Sequence, residues 1–180
     1  MFAHALGTDP TLIERLEAGA TLPTELASTW SLWFVFALLA SQNLPRVGFL
    51  FAGLGVGALM GVLTWSLVMV SPAILLVLLL VAALWMTLGR ATPGLVALAL
   101  MALVTLMAIN ALLHAHADLA DDRLIGLMAA LFTVVGASFC GGLVKQCVNW
   151  FPKPAPIGLR ILSSWMVALL AIQVAAGSLT

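Results

Sequence analysis

Apolar residues along this chain come in long runs, and polar residues come in short clusters between them. The runs cover about 24–41, 46–70, 72–89, 93–113, 124–150 and 157–178. A helix that crosses a bilayer needs roughly 20 mostly apolar residues. Each run is near that length, and the connections are too short to fold separately. The pattern predicts an all-α fold, a polytopic membrane helix bundle of six transmembrane helices with no soluble module. Residues 1–22 carry acids and lack a central apolar stretch. They read as an N-terminal segment, and residues 23–180 as the six-helix transmembrane domain.

Within the N-terminal segment, Asp9 and Pro10 read as helix cap and first helical residue. From Thr11 to Ala18, Leu12, Ile13 and Leu16 fall on one side and Glu14, Arg15 and Glu17 on the other. This predicts a short interfacial helix, ended by Gly19. Pro23 is expected to open the first span. Trp30 and Trp33 would lie in its outer half, where indoles favour the headgroup boundary. In the second run Gly53, Gly57 and Gly61 are spaced four apart and form a groove that another backbone can approach closely. The partner helix could be internal or belong to another subunit. Ser71-Pro72 and Thr92-Pro93 mark turns, and 151–156, with three prolines, reads as a stiff extended loop.

Composition agrees with the pattern: 63% of residues are hydrophobic, 8% are charged, and mean hydropathy is +1.19. Soluble domains carry about 25% charged residues. Charge adds orientation. If each run crosses once, all seven carboxylates (Asp9, Glu14, Glu17, Glu25, Asp118, Asp121, Asp122) fall on one face, with His4, His114 and His116. Five of the seven cations, Arg46, Arg90, Lys145, Lys153 and Arg160, fall on the other. Lys and Arg are retained on the cytoplasmic side. Both termini are therefore expected to be periplasmic, in a bacterial inner membrane. Residues 1–22 show no secretory signal pattern, so the mature chain is expected to begin at or near Met1. Zero net charge gives no basic patch for nucleic acid.

Candidate chemistry is sparse. Cys140 and Cys147 lie seven residues apart, on one helix face but two turns apart. That excludes a disulfide between them and disfavours a metal pair, so they read as small buried apolar residues. The spans lack buried acids, which argues against a proton pump. No nucleophile–base pair or phosphate loop suggests an enzyme. No histidine pair at midplane depth suggests a haem site. The densest polar cluster is Asn110, His114, His116, Asp118, Asp121 and Asp122. Imidazole with carboxylate suits a divalent transition metal. On a continuing helix His114 and Asp118 share a face; on an extended chain His114, His116 and Asp118 share a side. The acids would equally serve as caps for the next helix.

The chain resembles the HupE/UreJ family of small bacterial membrane proteins. The resemblance rests on the six-span plan and three places. His4-Ala5-Leu6-Gly7 looks like the histidine-bearing start of mature members. Leu113-His114-Ala115-His116-Ala117-Asp118 stands where the family has Phe-His-Gly-x-Ala-His. Leu159-Arg160-Ile161-Leu162-Ser163-Ser164-Trp165 looks like the closing helix. The resemblance implies a nickel or cobalt permease whose metal ligands would be drawn from His4, His114, His116, Asp118 and Asp121. The chain departs from the family in two places. The family's His-x5-Asp-His spacing lands on Leu22, Ser28 and Thr29, and Asp118 replaces the second histidine of the fourth-span motif. The alternative is a non-transporting accessory or scaffold subunit, packed against partner membrane subunits or further copies of itself.

Overall fold

A computed structural model describes residues 11–25, 27–42, 47–67, 71–88, 92–120 and 122–177. These residues form eight helices and no strand: α1 (Leu12–Glu25), α2 (Ala27–Gln42), α3 (Val47–Thr64), α4 (Pro72–Thr87), α5 (Gly94–Ala115), α6 (Ala117–Ala120), α7 (Arg123–Trp150) and α8 (Ala155–Gly177). Four of them, α3, α5, α7 and α8, are long and apolar enough to cross a membrane. The α1–α2 pair, bent by 73°, makes a fifth if it counts as one broken span. α4 is apolar but shorter, at 16 residues.

Glycines set how the helices pair. α3 lies along α5. A Cβ on Gly53 would come within 2.9 Å of Met101 Cβ, one on Gly57 within 2.8 Å of Thr105 Cβ, and one on Gly61 within 2.8 Å of Ile109 Cβ. The groove predicted from the sequence is therefore filled from within the chain, by α5. Contact positions rise together on the two helices, so α3 and α5 are parallel. The same holds for α2 and α7. Trp33 packs on Gly136, while Phe36, three residues further on, packs on Gly141. α8 rests mainly on α4 at the edge of the bundle.

Parallel α3 and α5 fix what lies between them. The chain must return the length of the bundle before α5 begins, and α4 is the helix in that interval. Following the path puts the start of α2, the end of α3, the end of α5 and the start of α7 at one end of the bundle. The end of α7 and the start of α8 lie at the other. Glu25, Asp118 and Asp122 fall at the first end, and Lys145, Lys153 and Arg160 at the second.

Three local expectations are corrected. α1 does not stop at Gly19, nor does a new helix open at Pro23; both are buried inside α1. Gly19 faces α7, where a Cβ would sit 2.8 Å from the Ile125 carbonyl oxygen. Its missing side chain serves close packing, which offsets the roughly 1 kcal/mol that glycine costs a helix. Pro23 comes in the final turn, where the lost N–H removes one helical bond. At the other end α1 begins at Leu12, which makes Thr11 its cap; Asp9 and Pro10 lie outside the described residues. The Thr11 hydroxyl accepts the Glu14 N–H at 3.4 Å, and the Glu14 carboxylate accepts the Thr11 N–H at 2.7 Å. This reciprocal arrangement is a capping box. Lastly, Trp33 is no boundary residue. It is buried, and its indole N–H donates to the Thr133 carbonyl at 2.9 Å. Trp30 remains half-exposed and ties α2 back to α1 by donating to the Thr24 carbonyl at 2.9 Å.

Candidate functional site at the acidic end of the bundle

The polar cluster sits where α5 ends and α7 begins. α5 stops because His116 leaves helical geometry, with φ −129° and ψ 44°. A single turn, α6, follows. α7 then starts on Asp122, whose Oδ1 accepts the Leu124 N–H at 2.9 Å. The other oxygen of Asp122 meets Arg15 of α1 at 3.2 Å. One carboxylate therefore caps α7 and anchors α1.

α1 is tied down a second time near its last residue. His116 Nε2 lies 3.3 Å from Glu25 Oε2, and Nδ1 lies 3.1 Å from the Leu112 carbonyl. Both ring nitrogens face acceptors, so a doubly protonated ring satisfies both and a neutral ring only one. Glu25 was invisible as a partner in the sequence, being 91 residues away. Between the two ties, Ala18 and Leu22 of α1 pack with Leu112, Ile125 and Ala129. Glu14 at the start of α1 has its carboxyl held below the usual carboxylate range, first by the Thr11 N–H and then by the Thr11 hydroxyl.

The remaining candidates are more dispersed. His114 is half-buried against Trp65, ring centroids 5.8 Å apart and edge to face. Asp118 is exposed on α6. The break at His116 ends the helical relation that would align His114 with Asp118. Among the described residues, no three of His, Cys, Asp or Glu stand close enough together to hold a metal ion. His4 and Asp121 lie outside the described residues. His116 with Glu25 is therefore the closest approach to a ligand pair. A ring held through Nδ1 on a backbone carbonyl is a common posture of a ligating histidine, but here Nε2 is turned to the Glu25 carboxylate.

The cysteines and hydroxyls take structural positions. Cys140 is half-buried against the main core; Cys147, expected to be buried, is exposed near the end of α7. Both are free thiols. The hydroxyls of Thr64, Thr133 and Ser138 bond the carbonyls four residues back, at 2.7–2.8 Å.

Replacing Asp122 separates its two tasks. Asp122→Ala should cost about 1 kcal/mol through the lost cap. Asp122→Asn can still cap and loses only the charge opposite Arg15, a half-exposed pair of small worth. Thermal unfolding in detergent should show a clear drop for the first and little change for the second.

No family model matches the chain, and no curated protein or solved structure matches it either.

Proposed function

We propose that this chain is a six-span inner-membrane protein, with both termini periplasmic, that works as a non-transporting accessory subunit docked on a partner through α8. The observation that carries the docking is Trp165. It lies midway along α8 and is 69% exposed. The other exposed indoles, Trp30, Trp85 and Trp150, lie near helix ends, where a headgroup boundary accommodates them. At mid-span no interface is within reach, and an indole N–H in hydrocarbon needs a partner. A helix of another subunit laid on Ile161, Trp165 and Leu169 would supply one. The six crossings are supported by the parallel pairing of α3 with α5, which needs α4 as a return. The orientation is supported by the sorting of carboxylates and cations to opposite ends.

Purification from native membranes in mild detergent tests the docking. A stoichiometric membrane subunit should remain on the wild type and be lost with Trp165→Ala, with the bundle itself unchanged in thermal stability. A wild-type chain that purifies alone sinks the reading.

A second reading, a divalent-metal permease of the HupE/UreJ kind, is favoured by the His116–Glu25 pair beside His114. The same preparation decides it. Nickel, cobalt, zinc or copper bound at neutral pH, weakened on acidification and abolished by replacing His114 and His116 together with Ala, would establish it. Protein that takes up none of these metals removes it.

Orientation has its own test. In intact spheroplasts an impermeant thiol reagent should label a cysteine placed at Asp9 and miss one placed at Lys153. The reverse pattern overturns the assignment.

A further inference from the structure

At the cationic end, the close of α7 and the opening of α8 leave a groove of roughly 370 Å³. Val148, Phe151, Pro154, Gly158 and Leu162 are among its walls, and the lining is almost wholly apolar. Three cations are chain neighbours of its walls. Lys145 follows the wall residue Val144, Lys153 precedes Pro154, and Arg160 follows Leu159. All three are exposed. The last carboxylate in the sequence is Asp122, at the far end of α7. At about 1.5 Å per residue, the helix holds that acid some 35 Å from Lys145. Among the described residues none of the three cations has an ion pair with a carboxylate. Trp150 and Phe151 are exposed at the same level, which marks this as a boundary between hydrocarbon and headgroups.

An apolar slot at a membrane boundary, with three exposed cations next to its walls in the chain and, among the described residues, no carboxylate at that end, has one complementary occupant. We propose that this groove binds an anionic phospholipid. An acyl chain lies along Val148, Phe151 and Leu162, and the phosphate is held among Lys145, Lys153 and Arg160. The groove carries the selectivity for a lipid, and the cations carry the selectivity for an anionic one. Basic pockets between spanning helices are a recurrent setting for such headgroups. The inference rests on the chain being embedded in a bilayer and is independent of whether the acidic end serves metal or partner.

The test uses full-length protein in neutral detergent, titrated with phosphatidylglycerol or with phosphatidylcholine of the same chains and read by native mass spectrometry. Phosphatidylglycerol should be retained at least tenfold more strongly. K145Q/K153Q/R160Q should bring it down to the phosphatidylcholine level. Gly158→Leu should also weaken it, by filling the slot. A Cβ at Gly158 meets nothing within 4 Å, so the substitution starts without a backbone clash. If that variant nonetheless lowers Tm, Ala155→Leu takes its place. Equal retention of the two lipids overturns the proposal, as does a triple variant that binds like the wild type. Unchanged phosphatidylglycerol binding by the slot-filled variant also overturns it, because the cations would then be acting as an open surface. Insertion into vesicles, followed separately, tells a failure of this site from a failure of the membrane reading.

Discussion

Gly57→Leu should separate α3 from α5 and collapse the thermal stability of the bundle in detergent. The added Cβ alone would be driven onto the Ala102 carbonyl oxygen and within 2.8 Å of Thr105 Cβ. Neither obstacle is the mobile tip of a flexible side chain. Ala102 contributes backbone, and Thr105 is β-branched and stiff at χ1. Relief therefore requires one whole helix to move. Overpacking of a tight core costs about 1–3 kcal/mol when side chains can adjust. Here they cannot, so a loss beyond that range is expected. Gly55→Leu, on the same helix, is the control, since a Cβ there meets nothing within 4 Å. Equal melting temperatures for the two variants would remove the case for a close-packed glycine face.

Trp33→Ala should be the most damaging truncation in α2. The ring fills the place left by Gly136, and its N–H satisfies a second bond on the Thr133 carbonyl. Large-to-small changes of a buried indole cost about 3–5 kcal/mol, because the space cannot fully close. Trp33→Phe keeps much of the volume and loses the hydrogen bond, so it should fall between wild type and Ala. Melting curves for the three proteins check the order. A Phe variant as unstable as Ala would assign the effect to the hydrogen bond alone. A Trp33→Ala protein as stable as wild type would mean that the ring does not hold α2 to α7.

Much of this was legible in the sequence because membrane helices write their lengths as apolar runs. Each predicted run contains one apolar helix, four of them long enough to cross a membrane, and the Gly53/Gly57/Gly61 spacing marked a true packing face. The failures share a cause. Gly19, Gly136 and Gly141 are packing glycines too, but each stands without the fourfold repeat that announces a groove. Gly19 therefore read as a stop. Thr11 and Glu14 carried the capping-box spacing, yet the neighbouring Asp9-Pro10 drew the assignment. At the candidate site, residue types suggested a metal, whereas partners decide what those residues do. Asp122 proved to be a cap, as one of the two expectations had it. Its bond to Arg15 and the pairing of His116 with Glu25 depend on a long-range fold that no local pattern encodes.

The parallel pairing of α2 with α7 has a consequence for biogenesis. Trp33 and its acceptor Thr133 are 100 residues apart in the chain. At roughly 5–20 residues per second, a ribosome needs at least several seconds to make the second after the first. Throughout that interval Trp33 lacks the carbonyl that accepts its N–H in the folded bundle, and the face of α2 that α7 covers is open. The α2–α7 pair therefore closes only after α7 has been made.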